Sequence, residues 1–354
     1  MRSLKKEIPI QIWLSANIVM VICMVIIGGI TRLTDSGLSM TDWRLVMGVF
    51  PPMNENEWRI YFNQYKLTPE YLLRNFGMTL EEFKLIFFWE YLHRVWGRVI
   101  GIIFFIPLFY FWLSNKISST DKKFFLILSI IGFFQAFMGW FMVKSGLINK
   151  PDVSHFRLST HLLTAFIIYS MLLYKFWEIY RSNYKISSVI LKDEYKIRIY
   201  IITSIVLLFL TIGSGAFVAG TDAGLAYNTF PLMDNKILPP ILIEDHKINF
   251  QSLFYDTGFL QFLHRFLASI TVICFSFSCY IGLKSKISKI LKNFFLILFF
   301  AIIFQYLLGI TILLLYVPIY LGLLHQLSSM LILSVSILIF SEIKLNIERN
   351  QVGT

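Results

Sequence analysis

The chain has 354 residues, of which 56% are hydrophobic and only 15% charged. A soluble domain carries roughly a quarter charged residues, so this composition excludes an ordinary soluble protein. The formal net charge of +11 argues for membrane topology and anionic lipid as its cause rather than nucleic acid, because the basic residues gather between the apolar runs.

A membrane-spanning helix needs about 20 apolar residues, and eight stretches qualify. The first, 11–30, follows a short basic start with Arg2, Lys5 and Lys6. It lacks a small-residue cleavage site and is expected as a retained anchor. A long polar loop, about Thr31–Lys84, carries Trp43, Trp58 and Pro51-Pro52. Stretches 85–113, 124–143 and 158–177 come next, then a basic linker. The second half supplies 198–218, a loop Phe217–Asp256 with Pro231 and Pro239-Pro240, and 258–283, 293–316 and 319–341. These runs are too long for barrel strands and do not alternate.

Landmarks recur in the same order in both halves. Thr34-Asp35-Ser36-Gly37-Leu38 pairs with Thr221-Asp222-Ala223-Gly224-Leu225. Glu90-Tyr91-Leu92-His93-Arg94 pairs with Gln261-Phe262-Leu263-His264-Arg265. Gln135 and Gly139 pair with Gln305 and Gly309, and His161 pairs with His325. A parallel duplication explains this. The predicted fold is an all-α membrane protein of eight transmembrane helices, arranged as two pseudo-symmetric four-helix bundles. The first occupies residues 1–180 and the second 198–354, joined by a cytoplasmic linker at 181–197.

Lys116–Lys123, Lys175–Arg198, Lys284–Lys292, Lys344 and Arg349 fall on one side of eight alternating helices. The positive-inside rule makes that side cytoplasmic, with both termini there. The four repeated histidines then lie toward the extracytoplasmic face.

An imidazole in an apolar helix is costly without a partner. Four of them in a duplicated pattern point to two metal centres, and most directly to two haems. A two-histidine site has too few protein ligands for zinc. The ring nitrogen that does not bind metal is expected to need an acceptor. His155 and His246 lie outside the repeat and read as solvated surface residues.

Glu90 shares a helical face with His93, and a carboxyl there suits proton transfer. An ion pair with Arg94, one turn on, is the alternative. Gln261 holds the same place in the second half and cannot exchange protons. Chemistry is therefore assigned to the first half, and electron transfer or support to the second. Arg94, Arg98 and Arg265 are candidates to contact haem propionates. Gly97 either makes room for a macrocycle or packs helices. Gln135 and Gln305 read as inter-helix hydrogen bonders. Cys23, Cys274 and Cys279 lie in apolar segments, so no disulfide is expected.

Gly28-Gly29-Ile30-Thr31-Arg32-Leu33-Thr34-Asp35-Ser36-Gly37-Leu38-Ser39-Met40 resembles the first outer-loop signature of haem A synthases. Pro51-Pro52, Glu57-Trp58, the segment Met78–Lys84, the Glu90–Arg98 segment and Asn228-Thr229-Phe230-Pro231-Leu232-Met233 fit the same family. The resemblance covers nearly the whole chain and is closest to the proteobacterial and mitochondrial branch. It implies a bacterial inner-membrane oxidoreductase that oxidises a porphyrin methyl group of haem O to the formyl group of haem A. It implies a haem b cofactor on His264 and His325, and substrate haem O at His93 and His161, with Glu90 required for turnover. A haem O synthase and an electron partner are expected around it. Some members carry an outer-loop cysteine pair that this sequence lacks. A di-haem electron-transfer cytochrome accounts for the histidines, but not for Glu90 against Gln261. A transporter predicts ionisable residues lining a path across the membrane, whereas here they cluster toward one side.

Overall fold

The computed structural model describes residues 4–41, 50–146, 153–182, 194–242 and 250–352. Trp43, His246 and most of the linker lie outside the described residues. In chain order the α-helices are α1 (Leu4–Leu33), α2 (Glu55–Tyr65), α3 (Pro69–Leu73), α4 (Leu80–Leu113), α5 (Ser119–Gly146) and α6 (His155–Ser182). The second half adds α7 (Glu194–Gly220), α8 (Phe250–Leu253), α9 (Thr257–Lys284), α10 (Lys289–Leu314) and α11 (Ile319–Val352). Among the described residues the only strand-like pairing is an isolated bridge between Met233 and Lys236.

Eight of these helices are long and apolar enough to cross a membrane: α1, α4, α5, α6, α7, α9, α10 and α11. They match the eight predicted stretches and mostly extend beyond them. Helix α4 starts at Leu80 rather than 85 because of a capping box. The Thr79 hydroxyl accepts the Glu82 N–H at 3.3 Å, and the Glu82 carboxylate accepts the Thr79 N–H at 2.8 Å. That exchange satisfies donors a helix start otherwise leaves open. Hydropathy reports where the apolar layer begins, whereas the cap decides where the helix begins.

The chain forms two compact units by packing: Ala16–Ile168, and Met1–Ser15 together with Tyr169–Thr354. The packing division therefore falls inside α1 and α6, whereas the sequence repeat divides the chain in the linker. The reason is polar. In the last turns of α6, Trp177 donates to Glu342 of α11 at 2.9 Å, and Arg181 pairs with the same carboxylate. Tyr169 bonds Ser334 at 2.7 Å. In that unit α7 packs on α9, α9 on α10, α10 on α11 and α11 back on α7.

In the other unit α4 packs on α5 and on α2. Helices α2 and α3 pack over the start of α4. Phe62, Tyr65, Tyr71, Phe83, Phe87 and Met40 form a buried cluster. Trp58 packs edge-on against Phe87, with ring centroids 5.0 Å apart.

The repeated Thr-Asp-x-Gly-Leu motif holds its aspartate in the left-handed region both times. Asp35 after α1 has φ 49° and Asp222 after α7 has φ 53°. Aspartate tolerates this left-handed conformation better than most residues.

Glu342 and Arg181 are both buried. Arg181→Met should lower unfolding stability in detergent by about 3 kcal/mol, by leaving a buried carboxylate without its cation. Replacing both partners, R181M with E342L, should recover most of that loss in the same thermal melt.

Candidate functional site

The α7–α9 seam carries a ladder of polar pairs. Ser204 bonds Ser278 at 2.9 Å, Thr211 bonds Thr271 at 2.7 Å, and Ser214 bonds Nδ1 of His264 at 3.0 Å. The α9 partners recur every seven residues and so share one face. Each such bond within a membrane contributes only about 0.6 kcal/mol; their consequence is register. They fix the height of His264, and they engage Nδ1 so that Nε2 is the nitrogen left to ligate a metal.

His325 of α11 lies across from it, with ring centroids 6.5 Å apart and planes at 73°. Two metal–imidazole bonds of about 2 Å, plus roughly 1.1 Å from nitrogen to centroid in each ring, span roughly 6 Å. The pair thus has the spacing of two axial ligands on one iron. Among the described residues no group of three or more His, Cys, Asp or Glu converges. A pair without a third ligand suits a macrocycle that supplies the equatorial donors.

In the first half, His93 of α4 and His161 of α6 belong to the same packed unit. Nδ1 of each is buried without a hydrogen-bond partner, as is Nδ1 of His325. The expected acceptor on the second nitrogen is therefore present only for His264. The rings are steadied differently. Each has its Cε1 vertex against a glycine of a neighbouring helix: His93 on Gly28, His161 on Gly139, His264 on Gly215 and His325 on Gly309. Sequence reading saw Gly139 and Gly309 only as landmarks and missed Gly215 and Ser214. Gly97 faces Met24 of α1, which is the helix-packing alternative.

The glutamines bond between helices as expected. Gln135 lies 3.3 Å from Nε2 of His161, and Gln305 donates to the His325 carbonyl at 3.1 Å while accepting from Ser328.

Glu90 and Gln261 occupy equivalent places with opposite surroundings. Glu90 is 3% exposed, too little for water to supply its bonds. Its Oε2 accepts from the Ser39 hydroxyl at 2.7 Å and the Met40 N–H at 2.9 Å, and its Oε1 from Arg94 at 2.5 Å. All three partners are donors, as an ionised carboxylate needs. Gln261 instead donates its amide to the carbonyls of Gly224 and Tyr227, at 3.3 and 3.1 Å, and accepts from Arg265 at 3.1 Å. The ion-pair alternative for Glu90 is thus what the geometry contains.

Arg94 also donates to the Met40 carbonyl at 3.1 Å. Arg265 donates to the Thr229 and Tyr227 carbonyls at 2.9 and 2.7 Å, tying down the Asn228–Met233 motif. Asn228 holds the other side of that loop through the Leu313 carbonyl at 2.8 Å. Both arginines are turned to protein groups; Arg98 lies one turn further along α4 and is partly buried.

His155 is a correction. It is buried, with its ring 4.3 Å from that of Phe156, because it opens α6 inside the packed unit rather than in a solvated loop. The three cysteines are free thiols. An apolar recess of about 470 Å³, lined by Phe105, Phe109 and Trp112, lies several turns beyond His93 and is separate from the histidines.

Nothing in the sequence pattern points to Glu70. This residue of α3 is 3% exposed, and its Oε2 has no hydrogen-bond partner. Burial, and then the neighbouring charge of Glu90, push its pKa up to about 8. Tyr65, beside it, is raised as well, mainly by burial, and accepts from Asn75 at 2.7 Å.

A family model described as "Cytochrome oxidase assembly protein" matches residues 11–337. The chain is 44% identical over 282 residues to the heme A synthase of Rickettsia bellii (strain OSU 85-389), covering 78% of this chain and 82% of that protein. It is 43% identical over 264 residues to the heme A synthase of Paramagnetospirillum magneticum, covering 75% and 74%. The heme A synthase of Rickettsia africae is 39% identical over 294 residues, covering 82% and 86%.

Glu70 should make the α2–α3 segment pH-sensitive. Its pKa rises from 4.5 to about 8 on folding, so its contribution to the stability of that segment is full below 4.5 and is lost as pH rises toward 8. Hydrogen exchange of α2 and α3, corrected for intrinsic rate, should quicken across that window, and Glu70→Gln should flatten the dependence.

Proposed function

The chain belongs to the haem A synthase family, and on that premise we propose that it oxidises a porphyrin methyl group of haem O to the formyl group of haem A within the membrane. The observation that carries the division of labour is the contrast between Glu90, whose three partners are all donors, and Gln261, which faces two carbonyl acceptors besides the Arg265 donor. A carboxylate is supported at one site only. We place the substrate at that site, with His93 and His161 as its iron ligands.

His264 and His325 then hold a resident haem b, which supplies one-electron redox capacity that side chains lack. The 6.5 Å separation of their rings supports this assignment. Holding the substrate's iron from helices α4 and α6 fixes which edge of the ring meets Glu90, and such positioning is a large part of catalysis.

Glu90 offers a fixed negative charge and a proton acceptor. Its Oε1 is compensated by Arg94. Its Oε2 meets the Ser39 hydroxyl at 2.7 Å, and that hydroxyl can itself pass a proton on. Arg94, Arg98 and Arg265 are the propionate contacts we propose, since each follows a histidine within one or two turns on its own helix. We place both termini on the cytoplasmic side and the histidines toward the outer face, following the distribution of Lys and Arg. Haem O would reach the protein from the enzyme that makes it, through lipid, and an electron partner would accept the reducing equivalents.

Haem extraction from cells supplied with haem O tests this reading. Wild type should yield haem A. Glu90→Gln should lower that yield by about 100-fold or more while keeping the haem b spectrum. His264→Ala or His325→Ala should remove the haem b signal, and His93→Ala or His161→Ala should keep it but abolish product. A wild-type protein that makes no haem A, yet holds two reducible haems with a donor present, would mark an electron carrier instead.

A further inference from the structure

We propose that Gly28, Gly139, Gly215 and Gly309 are positioning residues, one for each histidine, setting the rotation of the imidazole plane about its iron bond. The proposal rests on the histidine assignments above. A Cβ built on Gly28 would meet Cε1 of His93 at 3.1 Å, and one on Gly139 would meet Cε1 of His161 at 3.2 Å. On Gly215 it would meet Cε1 of His264 at 3.0 Å, and on Gly309 Cε1 of His325 at 3.1 Å. Few real Cβ contacts are so short, so in each case the ring or the helix would have to give.

The pattern is specific. In all four cases the glycine lies on the preceding long helix, and the same ring vertex faces it. Gly101 and Gly132, on the same helices as His93 and Gly139, have nothing within 4 Å of a built Cβ. Nδ1 of three of the rings has no hydrogen bond, and of these only His161 has a polar contact at Nε2, with Gln135 at 3.3 Å, so no hydrogen bond at Nδ1 sets their rotation. Contact with helix backbone on the Cε1 side does. A ring held by iron at one nitrogen and by a rigid helix at the adjacent carbon keeps only a narrow range of rotation. That rotation governs the magnetic anisotropy of a low-spin ferric haem and tunes its reduction potential.

The test is electron paramagnetic resonance and redox titration of the purified holoprotein. Gly215→Ala and Gly309→Ala should shift the g-values and midpoint potential of the resident haem while retaining it. Gly28→Ala and Gly139→Ala should leave that haem unchanged, but alter the spectrum of haem O added to the protein. Gly101→Ala and Gly132→Ala should behave as wild type. Gly282→Ala is the packing control: its Cβ would lie 2.5 Å from the Phe295 ring, with no histidine among its nearest neighbours. It should cost stability without moving the g-values.

Wild-type g-values and potential in fully loaded G215A and G309A would overturn the proposal. Should either variant fail to fold, its stability cost is compared with and without the ring. The cost of G215A should vanish in a H264A background, and an unchanged cost would overturn the proposal too. A wild-type protein with no low-spin bis-histidine signal would instead refute the functional reading on which the proposal stands.

Discussion

A polar group carried into hydrocarbon must find its partner within the protein, because no water is there to supply one. That constraint organises this structure. Serine and threonine pairs line the α7–α9 seam, glutamines reach across to the histidine-bearing helices, and Glu342 collects Trp177 and Arg181. Each bond contributes little energy, and together they fix register. A half-turn slip of α9 against α7 would separate His264 from Ser214 and carry it away from His325.

Three of the four histidines resist this accounting, since a buried Nδ1 is left without an acceptor. Glycine is the compensating device. It lets a neighbouring helix close on the ring, so that shape does what a hydrogen bond does elsewhere. Helices give up about 1 kcal/mol for each interior glycine relative to alanine, and four such positions against four histidines make that cost intelligible as a functional one.

The difference between the halves is equally a matter of surroundings. The Met40 N–H and Ser39 hydroxyl point donors at residue 90, whereas the Gly224 and Tyr227 carbonyls point acceptors at residue 261. Exchanging the two side chains would set an amide N–H against an N–H in one unit, and a carboxylate against carbonyls in the other. The segments that follow α1 and α7 therefore supply the partners of residues 90 and 261. The Asp35 and Asp222 turns redirect the chain so that the following backbone reaches Glu90 and Gln261.

The eight spanning helices and the order of the repeated landmarks were legible in the sequence, as were the candidate histidines and the candidate carboxyl. Apolar run length and a rare imidazole or carboxyl in an apolar run are local signals, and each survives any packing. Sequence reading misjudged His155, which looked like a loop residue, and gave no sign of Glu70, whose chemistry comes wholly from burial. It could not choose between an ion pair and a free acid for Glu90. Only the tertiary structure decided which nitrogen of His264 is engaged, that His264 and His325 meet at ligand spacing, and that Gly215 touches a ring. Those facts depend on the rotation and height of one helix against another, and these are set by contacts between residues far apart in the chain.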